Sequence, residues 1–393
     1  MRKINLSNIQ VASSETARDI NRRIVLNLVR SRQPVSRADI ARISGLQRST
    51  VSSITECLIA DGWLIAGLMG HLPRGRRPTF LRLNTERVMI GIDIRPTKTI
   101  IATSDINAHF DYQEVFPTPP SAEEGIKELT LRLQRLMQTR KGVTFEGIGI
   151  SLPGRINPQT KVLCFSPNLH WQNADLIPPL TQATGLEVEL ENAANACALA
   201  EVWFGPSDNI RDLVVVTVSE GIGIGVYMNG QLVRGADGMA GEFGHVTMDP
   251  NGPICGCGNR GCWETLASNR AATRYYDSKN RQDAGPNFKE LLALADQGDV
   301  QAAKALDTMA VYLGRGLRML AVGLGPAAIV LVGEVTRAWS RVAPLINKEI
   351  SAYPLPGPAP RIVPAVDGEM ARLRGTVALV LQKHFGASAF TDL

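Results

Sequence analysis

The sequence predicts an α/β protein with a basic helical head and a larger body of two lobes. Three observations support this prediction: helix-spaced apolar residues before residue 60, alternating strand-like and helix-like segments after residue 84, and two separate clusters of those strands. We place the domain boundary between residues 1–87 and 88–393. The chain has 393 residues, 44% of them hydrophobic and 20% charged, so it can bury real cores and is not a disordered chain.

Charge is distributed unevenly along the chain. Residues 1–87 contain 15 Lys and Arg against 6 Asp and Glu, whereas the remainder is mildly acidic. A basic head favours a polyanionic partner, and nucleic acid is favoured over a membrane because no amphipathic lipid-facing stripe is present. No apolar run reaches 18 residues and the N-terminus lacks an apolar signal core, so we expect a cytoplasmic protein without membrane insertion.

The head has the pattern of a helix-turn-helix. Helices are predicted at 16–30, in a short segment after Pro34, and at 48–60. The second helix begins at the S-x-x-D sequence of Ser36 and Asp39 and ends at Gly45. On the third helix the apolar residues Val51, Ile54 and Leu58 share one face, and the opposite face is small and polar. We predict that this third helix contacts DNA through Arg48, Ser49, Ser52 and Ser53.

A wing is predicted after the third helix. Two short strands, at 63–66 and 79–83, are joined by a loop that contains Arg-Gly-Arg-Arg-Pro. A narrow minor groove attracts arginine through its enhanced negative potential. Such a loop is also compatible with a solvated turn, but beside a helix-turn-helix we interpret Arg74, Arg76 and Arg77 as DNA-binding residues of a winged helix-turn-helix domain.

The body alternates strands with helices. Strands are predicted at 88–94, 99–104, 147–151, 213–218, 223–227, 231–234 and 328–332, and helices at 121–140, 191–204 and within 266–324. Asn229-Gly230 predicts a type I′ hairpin turn. The Pro-rich stretch 354–364 is expected to be a surface loop.

The strongest single motif is Cys255-Gly-Cys257-Gly-Asn-Arg-Gly-Cys262, with His245 upstream. Three thiolates and an imidazole complete a tetrahedral zinc site, and the intervening glycines let the backbone fold tightly around it. The alternative is three inert buried cysteines. In a reducing compartment a metal explains the spacing best, so we predict Zn²⁺ bound by His245, Cys255, Cys257 and Cys262. The isolated cysteines 57, 164 and 197 are expected to be packing residues.

Two segments are candidate phosphate loops, one a short turn between strands and the other rich in glycine. One follows the first body strand at 93–98, and the other is Ser219-Glu220-Gly221-Ile222-Gly223-Ile224-Gly225. A run of alternating glycines is more often a tight hairpin than a nucleotide site, so neither segment is specific by itself.

The ordered motifs of the body resemble those of the ROK family of repressors and sugar kinases. They are Gly91-Ile92-Asp93-Ile94, Leu152-Pro153-Gly154, Glu191-Asn192, Gly221-Ile222-Gly223, Gly241-Glu242-Phe243-Gly244-His245, and the cysteine motif with Glu264. With the N-terminal winged helix, the chain resembles the repressor branch. The resemblance covers nearly the whole chain and implies a two-lobed, actin-like, sugar-binding body that assembles into a homodimer or homotetramer.

The resemblance also implies a sugar site. By matching motif, Asn192, Glu242, His245 and Glu264 would bind sugar hydroxyls, beside the Leu152-Pro153-Gly154 turn. His245 would then serve twice, because one ring nitrogen can bind zinc while the other meets a hydroxyl.

The sequence departs from the kinase pattern at several positions. In the kinases an aspartate that removes the proton from the sugar hydroxyl follows the Glu-Asn pair; here that position is Ala193. The phosphate loops differ too, because Arg95-Pro96, Ser219-Glu220 and Gly333-Glu334 stand where small residues are expected. Phosphoryl transfer depends on positioning and on neutralising charge, so these changes argue against an enzyme.

We therefore expect a DNA-binding repressor whose body senses a sugar and alters the geometry of two winged helices on operator DNA. One alternative is an active sugar kinase with a DNA-binding appendage, which Ala193 disfavours. Another is a regulator controlled by a protein partner instead of a sugar, because the missing carboxylate at residue 193 also removes one sugar acceptor.

Overall fold

The structure is a computed structural model that describes residues 14–69, 79–206, 210–277, 285–352 and 358–386. The chain divides into two compact units. Unit 1 takes the described parts of 1–88, with 105–107 and the end of the chain from Leu381; unit 2 takes the rest. Unit 1 therefore includes C-terminal residues that a boundary at 87/88 assigns to the body. No helix of the described ranges is long and apolar enough to span a membrane.

The N-terminal part of unit 1 contains three helices followed by a hairpin. The elements are α1 (Ser14–Arg32), β1 (Val35–Ser36), α2 (Arg37–Ser44), α3 (Arg48–Ala60), β2 (Leu64–Met69) and β3 (Thr79–Leu83). β3 pairs antiparallel with both β2 and β1. The hydroxyl of Ser36 accepts a hydrogen bond from the amide of Asp39 at 3.2 Å and caps α2, and Gly45 ends it with a φ of 72°. The predicted helix start and stop are confirmed.

The C-terminal end of the chain contributes to the packing of unit 1. The ring of Trp63 lies 4.3 Å from the ring of His384 and 5.7 Å from that of Phe385. The amide of Asn27 donates to the Phe385 carbonyl at 2.6 Å. These aromatic contacts add to the burial of Leu26, Val51 and Leu58, and nothing in the local sequence pattern predicted them.

Unit 2 begins with a five-stranded sheet in the order β11-β7-β4-β5-β6. Its elements, in chain order, are β4 (Arg87–Ile94), β5 (Lys98–Ser104), β6 (Phe110–Pro117), α4 (Ala122–Thr139), β7 (Thr144–Leu152), β8 (Arg155–Ile156), β9 (Leu163–Ser166), β10 (Trp171–Ala174), α5 (Ile177–Thr184) and β11 (Val188–Asn192). β8, β9 and β10 form a separate small antiparallel sheet, and β11 pairs parallel with β7. The turn after β7 and the end of β11 are thereby brought close together.

A second five-stranded sheet has the order β14-β13-β12-β15-β16. The remaining elements are α6 (Ala193–Phe204), β12 (Leu213–Val218), β13 (Ile222–Met228), β14 (Gln231–Val233), α7 (Trp263–Ala267), α8 (Asn269–Asp277), α9 (Phe288–Asp296), α10 (Val300–Leu324), β15 (Ala328–Val332), α11 (Trp339–Ser351), β16 (Arg361–Pro364) and α12 (Ala371–Phe385). Alternate residues of β12 enter two different cores: Val214 and Val216 pack with α10, and Leu213 and Val215 with α6. A strand covered on both faces needs the continuous apolar run that this one has.

Two predicted segments are corrected by the structure. The helix expected at 191–204 begins at Ala193, because Glu191 and Asn192 end β11 and the Asn192 side chain caps the helix. The loop expected at 354–364 is wrong at its end, since Arg361–Pro364 pairs parallel with β15. Proline is tolerated there because β16 is an edge strand. The turn at Asn229 and Gly230 is confirmed, with φ angles of 54° and 78°.

Candidate functional site

A cavity of about 460 Å³ lies in unit 2 and is lined from both five-stranded sheets. Gly154 and Asn192, at the ends of β7 and β11, contribute one wall, and residues that follow β12 and β14 contribute the other. The volume is in the range of small-molecule sites. All four predicted sugar-binding residues line this cavity: Asn192, Glu242, His245 and Glu264.

The polar groups of the second wall converge on the ring of His245. Its Nε2 lies 3.6 Å from a carboxylate oxygen of Glu242, and its Nδ1 lies 3.6 Å from one of Glu264. Burial raises the pKa of Glu242 above its ordinary value, and His245 partly opposes that shift. Carboxylates and an imidazole at this spacing can accept and donate several hydrogen bonds to one polyhydroxylated ligand.

Asn192 has two structural contacts in addition to its place in the cavity. Its Oδ1 accepts from the amide of Ala194 at 2.8 Å, which caps α6. Its Nδ2 donates to the carbonyl of Gly154 at 2.6 Å. Gly154 has a φ of 121°, where a side chain would collide with the backbone of the neighbouring strand. Asn192 therefore fixes the shape of this wall, and only part of its hydrogen-bonding capacity remains for a ligand.

The four predicted zinc ligands also come together. The ligand atoms of His245, Cys255, Cys257 and Cys262 all lie within 4.8 Å of one another. The sulfurs of Cys257 and Cys262 are 3.6 Å apart, and Cys255 Sγ lies 3.5 Å from His245 Nδ1. Tetrahedral zinc with Zn–S bonds of about 2.3 Å would separate two sulfurs by ~3.8 Å, so the spacing fits zinc.

The backbone of the cysteine loop explains its glycines. Gly261 has a φ of 60°, and a Cβ there would lie 1.6 Å from the carbonyl oxygen of Asp249. Only glycine allows the chain to bring Cys262 back beside Cys257. Nδ1 of His245 faces the sulfurs and Nε2 faces Glu242, which is the division of roles expected of a residue shared by a metal and a ligand.

Two features of unit 2 were missed by sequence reasoning. Arg234, just after β14, forms a buried ion pair with Glu191. Asp93 is fully buried and pairs with Arg95 at 2.6 Å, with Arg372 at 4.0 Å from its other oxygen. The local sequence links neither Glu191 to Arg234 nor Asp93 to Arg372, because each of these pairs joins elements far apart along the chain, whereas Asp93 and Arg95 are only two residues apart.

Among the described residues, the remaining cysteines and the two candidate phosphate loops show no sign of a binding role: the cysteines form no disulfide, and both loops are turns between neighbouring strands. Cys57 and Cys164 are half-buried and unpaired, and burial raises the pKa of the Cys197 thiol to about 12, so this thiol is inert. The segment at 219–221 is a tight hairpin between β12 and β13, with Ser219 bonded to Gly221. The segment at 95–97 likewise joins β4 to β5.

In the head, the predicted DNA-facing side of α3 is accessible. Arg48, Ser49 and Ser53 are exposed and Ser52 is half-buried, whereas Val51, Ile54 and Leu58 are buried. The predicted wing residues Arg74, Arg76 and Arg77 lie outside the described residues.

Comparisons with known proteins match these observations. The sequence profile of the ROK family matches residues 89–383. A xylose repressor of Bacillus spizizenii is 31% identical over 385 residues, which cover 96% of this chain and 98% of the repressor.

Two solved structures extend the comparison. A ROK family transcriptional regulator, described as a homolog of the E. coli MLC protein, has a TM-score of 0.83 and 25% identity and covers 94% of this chain and 97% of its own. A ROK family glucokinase from Streptomyces griseus, in complex with glucose and AMPPNP, has a TM-score of 0.68 and 29% identity and covers 75% of this chain and 99% of its own. The regulators thus match nearly the whole chain, and the glucokinase matches about three quarters. The chain belongs to the ROK family.

Proposed function

We propose that this protein is a sugar-responsive transcriptional repressor. The observation that carries the proposal is a cavity that retains Glu242, His245 and Glu264 but has Ala193 where a general base is expected. The full-length likeness to a xylose repressor supports the same conclusion. Sensing a sugar requires only that the ligand favours one of two conformations of the body.

The DNA-binding part of the proposal assigns residues 1–87 to a winged helix-turn-helix. The exposed face of α3 with Arg48 and its neighbouring serines would read the major groove, and Arg74, Arg76 and Arg77 would enter the minor groove. A homodimer or homotetramer would present two such heads to paired half-sites of operator DNA.

The sugar-binding part of the proposal places the ligand against the second wall of the cavity. The carboxylates of Glu242 and Glu264, Nε2 of His245 and the remaining capacity of Asn192 would bind its hydroxyls. Because several proteins of similar sequence are named xylose repressors, a pentose is the first class of sugar to test. The body of residues 88–393 would carry this site and the contacts between subunits.

The metal part of the proposal is one Zn²⁺ per chain, held by His245, Cys255, Cys257 and Cys262. The interatomic distances of the four side chains support it. Zinc would fix the imidazole ring and thereby aim its second nitrogen into the cavity.

We also propose that the protein is not an enzyme. Ala193 cannot take a proton from a hydroxyl, and the carboxylate of Asp93 is already neutralised by Arg95, so a cation at that position would compete with a guanidinium. The glucokinase likeness makes a sugar kinase the second candidate. Sugar-dependent ADP release by the full-length protein would favour that candidate.

The proposal is tested by selecting genomic DNA fragments on the purified protein and then adding a panel of pentoses and hexoses. We expect a sugar that raises the melting temperature also to change the affinity for the selected DNA. If no sugar changes either quantity, the sugar-sensing part is wrong and a protein partner becomes the favoured effector.

The contribution of the wing is measured on the same DNA. Replacing Arg74, Arg76 and Arg77 by alanine should flatten the dependence of log affinity on log salt by about 0.9 per lost phosphate contact. The matched control is Arg341→Ala, since Arg341 is an exposed arginine in the body that pairs with Asp307. Equal salt slopes for both proteins would remove the wing from the proposal.

A further inference from the structure

A buried ion pair joins the two walls of the cavity. Glu191 lies near the end of β11, an edge strand of the first five-stranded sheet, and Arg234 directly follows β14, an edge strand of the second. Nε and Nη2 of Arg234 both lie 2.8 Å from one carboxylate oxygen of Glu191. Only 5% of the Glu191 side chain and 29% of the Arg234 side chain are exposed, so solvent screens the pair weakly.

The second oxygen of Glu191 organises the first wall. It accepts hydrogen bonds from the backbone amide of Asn192 and from the side chain of Asn195, each at 3.0 Å. Asn192 in turn holds the carbonyl of Gly154 at 2.6 Å. The guanidinium of Arg234 is therefore linked through Glu191 to three residues that line the cavity.

Arg234 also begins the segment that carries Glu242. This segment contains four residues with positive φ, at Gly235, Asp237, Gly238 and Gly241. Its local hydrogen bonds close short turns, because the amides of Met239 and Ala240 donate to the carbonyls of Ala236 and Arg234, each at 3.0 Å. Gly238 passes close to the first wall, since a Cβ on it would lie 2.2 Å from the carbonyl oxygen of Ile156. These short turns do not themselves hold the segment against the first wall, and the ion pair of Arg234 with Glu191 anchors its N-terminal end there.

We propose that Glu191 and Arg234 are a positioning pair for sugar binding. Neither side chain needs to touch the sugar. Arg234 holds the Glu242 segment against the first wall, and Glu191 holds Asn192 in the orientation that shapes the opposite side. The inference rests on the proposed sugar-binding function and adds to it the residues that keep the two walls in register.

The test uses the full-length, zinc-loaded protein and three variants. Arg234→Met removes the guanidinium, and Arg234→Lys keeps the charge with fewer hydrogen bonds. The matched control is Arg132→Met, because Arg132 is similarly half-buried and pairs with Glu114 and Glu128 but does not line the cavity. Sugar affinity, operator affinity without sugar, and amide hydrogen exchange of residues 235–242 are measured for each protein.

Arg234→Met should weaken sugar binding by about tenfold to hundredfold, the usual effect of removing a residue that orients a ligand-binding group. In Arg234→Met, exchange at 235–242 should become faster and operator affinity should change by less than about threefold. The sugar affinity and exchange rate of Arg234→Lys should lie between those of the wild-type protein and Arg234→Met. Arg132→Met should stay within about threefold of wild type in sugar affinity, in operator affinity and in exchange at 235–242.

The proposal is overturned if Arg234→Met and Arg132→Met weaken sugar binding equally, or if operator affinity falls by the same factor as sugar affinity. If the wild-type protein binds no sugar of the panel, the proposed function fails. Hydrogen exchange then tests the role of Glu191 and Arg234 independently of sugar binding. Faster exchange at 235–242 in Arg234→Met supports the positioning role, and unchanged exchange refutes it.

Discussion

Two regions of unit 2 differ in the exposure and pairing of their carboxylates. In the sugar region, the side chains of Glu242 and His245 remain 43% and 37% exposed and line the cavity. In the region around Asp93, the carboxylate is completely buried and pairs with Arg95, and Arg372 is the nearest further cation among the described residues. The first region keeps exposed hydrogen-bonding groups for a ligand, whereas in the second Oδ2 of Asp93 is paired with Arg95 and Oδ1 is buried without a hydrogen bond among the described residues.

Under the proposed function, this difference explains how a kinase-like body would retain recognition without catalysis. Recognition needs polar groups that stay available until the ligand arrives, whereas phosphoryl transfer also needs a general base and a place for a charged nucleotide. An arginine already paired with a buried carboxylate competes with an incoming cation for that carboxylate.

The largest effect is expected from Cys262→Ser, which removes a fully buried ligand from the cluster beside the sugar region. Zinc content should fall well below one atom per chain, the melting temperature should fall, and sugar binding should be lost, because structural zinc sites contribute about 10 kcal/mol in small domains. Metal analysis and calorimetry measure these changes. Cys164→Ser is the control, and normal zinc content in Cys262→Ser would refute the ligand assignment.

Arg95→Ala should act on stability and leave the sugar region unchanged. It leaves the buried Asp93 with only the more distant Arg372, and losing one partner of a buried pair costs about 3 kcal/mol or more. Urea unfolding should show this loss, while sugar affinity should stay within about twofold. Arg337→Ala is the control, because it removes only a surface ion pair with Glu369. A parallel loss of sugar affinity in Arg95→Ala would show that the two regions are coupled.

Glu242→Gln should weaken sugar binding without affecting the melting temperature of the sugar-free protein. A hydrogen bond to a charged group contributes about 1.5–3 kcal/mol, so the dissociation constant should rise by roughly 10-fold to 100-fold. The control is Glu220→Gln, since Glu220 lines the same cavity but is 60% exposed and lies 3.6 Å from Arg270. Similar affinities for both variants would place the sugar elsewhere in the cavity.

The smallest effect is expected from Ala193→Asp, and it has the opposite sign. The new carboxylate would stand at the N-terminus of α6, where negative charge is favoured, and could tighten sugar binding by about tenfold through a charge-assisted hydrogen bond. We expect no sugar-dependent ADP release, because Arg95 still occupies the region around Asp93. Robust turnover by this variant would revive the kinase interpretation.

Much of this architecture could be predicted from local patterns. The cap of α2 at Ser36, the glycine at 45, the hairpin at Asn229 and Gly230, and the apolar β12 each depend on interactions within a few residues. β16 was missed because its short sequence between prolines gives little periodicity, and it is stabilised by pairing with β15. The start of α6 was misplaced because Glu191 and Asn192 have a helix-compatible composition but pair with β7.

The residues of the candidate site could be named from the sequence alone. The spacing of the three cysteines, the upstream histidine and the missing carboxylate at residue 193 are covalent facts that no fold can alter. Which groups remain available for a ligand, and which pair within the protein, depends on the packing of distant elements. Asp93 with Arg372, and Glu191 with Arg234, meet across separate strands and helices, and the complete burial of Asp93 beside its neighbour Arg95 depends on the same packing. The sequence fixes which chemical group each side chain carries. The free-energy cost of burying that group depends on the neighbours that the fold places around it.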